Sequence, residues 1–312
     1  MIKCSICDQK TASVYRPNVK SVYSDKAYDV MHCSNCDHYF TNPVFTAKEL
    51  DDIYTNRYSY DAHSLIEKEK RMRARRYAKY IAGLPDVKTA LEVGCMHGLL
   101  IVELQKQGLK AAGVELDPDA VQYCKDHGLD VTQSSVEDYL RSAGNKHDVV
   151  IMSHVIEHIV DPRKQLRALG ERMPANGRLV LITPNSHAFT RPLFGRYWGY
   201  WQVPVHINHF NSSSMQNMLE QAGFTITNET SYGADSLFFL STLANMLGAG
   251  NDTKELSGAR KALVKVATVV LRPWYFVGSE DMVVVATKTG GKAGKSAGVG
   301  AKKTGKSTAK RR

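Results

Sequence analysis

The chain has 312 residues, 43% of them hydrophobic, and a formal net charge of +10, a length that fits one sizeable α/β domain with a small accessory module. Nine basic residues and no acidic ones fall between Lys288 and Arg312, leaving 32 basic against 31 acidic residues in the body, so the high pI gives no ground for a nucleic-acid-binding enzyme. Met1 is followed by Ile2, Lys3 and a cysteine pair rather than an apolar leader, and no apolar run is long enough to span a bilayer; a cytoplasmic place is expected, with a peripheral position at the inner face of the membrane left open.

Cys4 and Cys7 form one C-x-x-C pair and Cys33 and Cys36 a second, with 25 residues between them. Two such knuckles present four thiolates at a spacing that suits structural Zn2+; four unrelated core cysteines are the alternative. The residues between them alternate enough for short ribbon strands near 13–15 and 28–31. His32 and His38 flank the second knuckle and read as surface residues. From Ala47 to Leu84 the pattern turns helical, with a charged run from Glu67 to Arg76 that reads as a solvated face. Pro85 and Asp86 punctuate the entry to the next segment.

Leu91-Glu-Val-Gly-Cys-Met-His-Gly98 follows: a β-leaning approach, a glycine-bearing turn, then a helical pattern from Leu99. A second short strand ends at Glu115, 21 residues after Gly94. Amides at such a strand–turn–helix junction hold a nucleotide-like ligand, and a carboxylate about 20 residues on can bind two ribose hydroxyls. Strands are expected at 89–93, 111–116, 129–132, 148–152 and 178–183, alternating with helices near 99–107, 118–126, 136–141 and 162–172. Repeated βα alternation predicts a parallel, doubly wound sheet. Residues 224–230 and 282–287 supply two further strands, with apolar helical stretches near 236–247 and 259–271 between them. From Lys288 onward there is little to bury, and a disordered tail able to hold anionic polymers or lipid head groups is expected.

These stretches resemble the class I S-adenosylmethionine-dependent methyltransferases, and more narrowly those with an N-terminal zinc ribbon associated with glycan and cell-surface biosynthesis. The resemblance covers residues 1 to about 235. It rests on Cys33-Ser-Asn-Cys36 running on to Phe40-Thr-Asn-Pro43, the glycine turn, Gly113-Val-Glu115-Leu-Asp-Pro118, the run from His147 to His158, Pro174-Ala-Asn-Gly177 and Thr183-Pro184-Asn185. It implies a zinc-ribbon module over 1–45, a helical linker over 46–85, and a methyltransferase domain over 86–287 with a helical insertion at about 236–276. The basic tail occupies 288–312. The fold implied is α/β, a Rossmann-like doubly wound, mostly parallel seven-stranded sheet. Glu92, Gly94, Cys95 and Gly98 would surround the methionine portion of the cofactor, Glu115 would bind the ribose, and Leu116 would lie against the adenine. Ser135, Val136 and Glu137 would sit at the adenine edge, with Ser153 and His154 at the mouth. The family usually has glycine at Met96, which is expected to narrow the turn, and aspartate at Ser135, which removes a hydrogen bond to adenine.

His154-Val-Ile-Glu157-His158 matches the H-x-x-E-H of inverted zinc peptidases, but it follows the fourth strand of a nucleotide-type sheet, where peptidase chemistry has no expected context. On a helix His154 and His158 would share a face and could grip one metal. Ubiquinone-pathway O-methyltransferases and small-RNA ribose methyltransferases carry a similar E-x-x-E-H segment that can ligate a divalent cation, which implies one at Glu157 and His158; His206 and His209 lie where a further ligand would be wanted. The alternative is that Glu157 and His158 buttress a helix. His154 and His158 are the candidate catalytic residues. The aromatic run Arg196–Trp201 and the segment 206–209 are expected to line the acceptor pocket. The resemblance implies methyl transfer to oxygen of a small-molecule or glycan- or lipid-linked acceptor. Two alternatives stand beside it: an RNA methyltransferase gripping RNA with ribbon and tail, and a non-catalytic zinc-ribbon scaffold.

Overall fold

A computed structural model of the protein describes residues 2–21, 26–44, 64–143, 146–233, 236–246, 266, 270 and 278–289. The helical pattern expected over 47–63, nearly all of that over 259–271, and the basic tail beyond 289 lie outside these residues.

An antiparallel ribbon comes first: β1 (Ala12–Lys20), β2 (Ala27–Cys33) and β3 (His38–Asn42). Helix α1 (Ser64–Ala82) leads into the alternating segment: β4 (Thr89–Val93), α2 (Leu99–Lys106), β5 (Lys110–Glu115), α3 (Pro118–Asp126), β6 (Val131–Gln133), α4 (Val136–Ala143) and β7 (Val149–Ser153). Next come α5 (Pro162–Arg172), β8 (Arg178–Pro184), the short α6 (Thr190–Phe194), the two-residue β9 (Asn208–His209) and α7 (Ser212–Gln221). The last elements are β10 (Phe224–Tyr232), α8 (Ser236–Met246) and β11 (Asp281–Lys288).

The main sheet has seven strands in the order β10-β11-β8-β7-β4-β5-β6. All neighbours from β8 to β6 are parallel, while β11 runs antiparallel to both β8 and β10. The expected mostly parallel, doubly wound sheet is therefore present. Its strands are apolar on both faces because helices cover both. Ala90, Val149, Ile151, Val180 and Ile182 pack with Tyr77, Ala78 and Ile81 of α1 and with Leu100, Ile101 and Leu104 of α2. Their alternating neighbours Leu91, Val150, Met152, Leu179 and Leu181 face Leu140 of α4, Leu166 and Leu169 of α5, and Met215, Met218 and Leu219 of α7. Period-two alternation thus assigns each side chain to a layer.

Two helix starts follow directly from Asp-Pro pairs. Asp117 accepts from the Asp119 and Ala120 amides, with Pro118 in the first turn, and Asp161 accepts from Lys164 N with Pro162 behind it. Helix α7, absent from the sequence expectations, is capped by Asn211 and Ser214, each side chain accepting the other's backbone N–H.

The ribbon strands are longer than expected, and they do not stand apart from the main sheet's core. A second sheet runs β1-β2-β3-β9, so a strand from beyond β8 completes it, with Tyr39 opposite His209 and Phe40 opposite Asn208. Cys4, Ile6, Met31 and Phe40 join Phe210, Met215 and Met218 in one continuous apolar cluster.

Candidate functional site

The carboxyl ends of β4 and β5 meet at the glycine turn, beside the point where strand order reverses, which is where open α/β sheets bind ligands. Gly94 and Gly98 both have left-handed backbone, φ 67° and 68°, and a Cβ at either would come within 2.8 Å of Val155 or 2.4 Å of Leu129. Met96 takes the same conformation, φ 46°. Methionine thus occupies glycine's region of backbone space at a cost of about 1–2 kcal/mol. What holds it there is Glu115, whose carboxylate accepts from Met96 N at 2.8 Å and from Leu116 N and Asp117 N at 2.7 and 3.1 Å. Cys124 Sγ donates to the Met96 carbonyl at 3.2 Å.

Glu92 points into the same region, 5% exposed, with Oε2 lacking a hydrogen-bond partner. Burial, reinforced by the Glu115 charge, pushes its carboxyl well above the usual range, against a pull from the Ile101 amide. Burial likewise keeps Cys95 and Cys124 as thiols, the latter pushed up to about 11. Gly98 at the start of α2 makes no side-chain cap, and in its first turn the Ile101 amide is turned toward Glu92. Leu116, 69% exposed, offers an apolar surface. Ser135 spends its hydroxyl on α4, accepting from Asp138 N and donating to the Asp138 carboxylate. Val136 is buried in the core and Glu137 is half-buried in the first turn of α4.

Beyond β7, which ends at the half-buried Ser153, the chain does not form the α-helix on which His154 and His158 would share a face. His154 is left-handed, φ 55°, and residues Ile156–His158 make one 3-10 turn. The i, i+4 pairing of His154 with His158 therefore does not occur. Instead Glu157, His158 and His206 bring their donor atoms within 4.8 Å of one another. Glu157 is 1% exposed and accepts from the Thr183 hydroxyl at 3.1 Å. Its Oε1 has no hydrogen-bond partner and lies 3.4 Å from His154 Nδ1. Burial pushes Glu157 up, but the adjacent His154 ring outweighs it and holds the carboxyl below its usual range. Burial also drives His158 down, and His206 down to about 3, so the state is one carboxylate beside two neutral imidazoles.

The loop carrying His206 is tied on both sides. Ile207 N donates to the Glu157 carbonyl at 3.0 Å, and Asn208 Nδ2 to Ile159 O at 2.7 Å. From the ribbon, Thr41 N donates to Ile207 O and Thr41 Oγ1 to His206 O at 2.7 Å, while Thr41 Oγ1 receives the His209 Nε2 proton at 3.2 Å. His209 thus stitches strands and does not join the cluster. His38 is buried, not at the surface, and its Nε2 meets Asn208 Oδ1 at 3.1 Å. Trp198 and Trp201 are buried with Phe238 and Tyr28, so they pack the fold and do not line an open pocket.

The four ribbon thiols lie within 4.8 Å of one another, with Cys4 to Cys36 at 3.6 Å and Cys7 to Cys33 at 3.5 Å. Four sulfurs around an ion with bonds of about 2.3 Å stand about 3.8 Å apart, so the cluster has the size of a tetrahedral metal site. The Cys36 thiol beside it holds Cys4 below the usual thiol range, as a cluster that shares negative charge among its sulfurs requires.

A family model described as a methyltransferase domain matches residues 66–229. Ubiquinone biosynthesis O-methyltransferase of Xanthomonas oryzae pv. oryzae is 31% identical over 114 residues, 34% of this chain and 48% of the relative. The protein of the same name from Citrobacter koseri is 28% identical over 104 residues, 31% and 43% of the two chains. The matches thus span less than half of either relative. Among solved structures, a SAM-dependent methyltransferase from Archaeoglobus fulgidus covers 78% of this chain and 100% of its own at 19% identity and a TM-score of 0.48.

Proposed function

The chain belongs to the methyltransferase-domain family, and from that membership we propose that it transfers a methyl group from S-adenosylmethionine to an oxygen of a small-molecule or glycan- or lipid-linked acceptor. The observation that carries this reading is the pair of carboxylates, Glu92 and Glu115, at one glycine turn. An anionic pyrophosphate would be repelled there, whereas a sulfonium with its ammonium group would relieve the buried, partnerless Glu92 oxygen. Glu115 already accepts three amides, and its remaining lone-pair capacity suits a ribose hydroxyl. Leu116 would cover one face of the base.

S-adenosylmethionine supplies a methyl group on an already activated leaving group, so positioning and exclusion of water are most of what the protein must add. A divalent cation held by Glu157, His158 and His206 would supply Lewis acidity toward an acceptor hydroxyl. The partnerless Glu157 Oε1 and the neutral rings fit such an ion. His154, whose Nε2 is buried without a hydrogen-bond partner, stands at the end of β7 to receive the acceptor's proton. Structural zinc in the four-cysteine cluster completes the reading.

Calorimetric titration with S-adenosylmethionine tests it. Glu115→Ala should weaken binding by about tenfold or more, the worth of one charged hydrogen bond to a hydroxyl, and Glu115→Gln by less. Undiminished affinity in Glu115→Ala would sink the assignment.

A further inference from the structure

The donor set beyond β7 carries information about which ion it accepts. His158 Nδ1 lies 2.9 Å from the Val205 carbonyl and His206 Nδ1 lies 2.8 Å from the Tyr200 carbonyl. A carbonyl only accepts, so both rings carry their proton on Nδ1 and present Nε2 as a lone-pair donor. The two rings meet edge to face, 4.8 Å apart at 82°. Glu157 is orientated by the Thr183 hydroxyl on Oε2, and its other oxygen, fully buried, is left without a hydrogen-bond partner. His209, three residues beyond His206, shows the contrasting case, since its Nε2 is committed to Thr41.

Two imidazole nitrogens and one carboxylate form a 2-His-1-carboxylate triad. A further imidazole, His154, stands 3.4 Å from the partnerless Glu157 oxygen with its own Nε2 buried and unbonded, while the neutral Thr183 hydroxyl donates to the other Glu157 oxygen at 3.1 Å. Among the described residues the triad therefore supplies one formal negative charge and two imidazole nitrogens. Mg2+ demands hard oxygen ligands in near-octahedral array, whereas imidazole-rich sets suit zinc and its borderline neighbours.

We propose that Glu157, His158 and His206 take a borderline first-row dication of the zinc or cobalt kind in preference to Mg2+, and that His154 sets this preference by placing nitrogen where a second oxygen donor would stand. The inference rests on the proposed function for what the ion does, and on geometry alone for whether and which ion binds.

The test uses the full chain with its cysteine cluster zinc-loaded, titrated with Co2+ in the visible range. The expected result is one cobalt ion with d–d bands and no thiolate charge-transfer band, displaced by Zn2+ and resisting about a hundredfold excess of Mg2+. His206→Gln should lose these bands. His154→Glu should retain them but let Mg2+ compete about tenfold better or more, and because it leaves the triad intact it reports even if His206→Gln fails to fold. Cobalt bands only of thiolate type, equal competition by Mg2+ in the unaltered chain, or an unchanged preference in His154→Glu would each overturn the proposal. Calorimetry with S-adenosylmethionine on the same sample separates the two readings. Cobalt binding without cofactor binding would overturn the proposed function alone, and the reverse would overturn only the metal assignment.

Discussion

At Glu92, burial and the Glu115 charge hold the carboxyl well above its ordinary range while one oxygen finds no partner. A carboxyl raised on folding contributes its full stability below its unfolded value, near about 4.3, and loses it as pH rises through the folded value. Glu92→Gln should therefore melt higher than the unaltered chain at pH 7–8, by about 2–4 °C for each kcal/mol relieved. The gap should close as pH falls toward about 4. The same variant should bind S-adenosylmethionine more weakly, which paired melting and calorimetry would show. A substitution that lowers stability at neutral pH would contradict this account. Much at this scale was legible in advance: Gly94, Gly98 and Glu115 stand where spacing put them. Met96 was not legible, because φ is a property of the backbone that Glu115 and Cys124 impose from outside the turn. Nor was the buried state of His38, which depends on a contact with Asn208, 170 residues away.

Among the elements, the expected strands and helices of the main sheet fell within about two residues of their observed ends, whereas β1 runs five residues beyond its expected end and α7 was missed. Helix α7 opens on three serines, poor helix formers, and is secured by its cap and by burial of Met215, Met218 and Leu219. The turn after β7 carries Glu and His at the 3- and 4-residue spacing of a helix face, but the left-handed His154 and the tie from Ile207 N to Glu157 O hold it as a 3-10 turn. Strand β9, two residues long, has no periodicity to read, yet it brings His206 to Glu157. Thr41→Val tests that tie, since it strips a buried hydroxyl from the His206 carbonyl and the His209 ring. The expected loss is about 1–3 kcal/mol in chemical denaturation. It should be accompanied by cobalt affinity reduced about tenfold or more at the distant triad. Full retention of that affinity would show that Thr41 only supports the sheet.

Taken whole, the ribbon and the main sheet share one core, because Met31 and Phe40 cluster with Phe210, Met215 and Met218. Removal of residues 1–44 would uncover this apolar surface and leave β9 without a partner. The truncated chain is therefore expected to aggregate and to lose its cooperative transition, in size-exclusion chromatography and thermal unfolding followed by circular dichroism. A monomeric, cooperatively folded truncation would refute the shared core. The cysteine pairs announced a module, but nothing in their spacing announced where it would dock, since docking is decided by the strap after β8. Among the described residues, no helix is long and apolar enough to cross a membrane.

Strand β3 begins two residues after Cys36 and ends one residue after Thr41, which holds the His206 carbonyl. The thiol cluster and the carboxylate–imidazole triad are therefore the two ends of a single hydrogen-bonded ladder, with β9 as its last rung. Such a ladder couples its ends: Thr41 of β3 steadies the His206 carbonyl beside the Ile207–Glu157 tie, and β3 follows directly on the knuckle that anchors it. Emptying the thiol cluster of its expected zinc would thus be felt at the proposed triad from a distance, beside whatever the triad loses with its own ion.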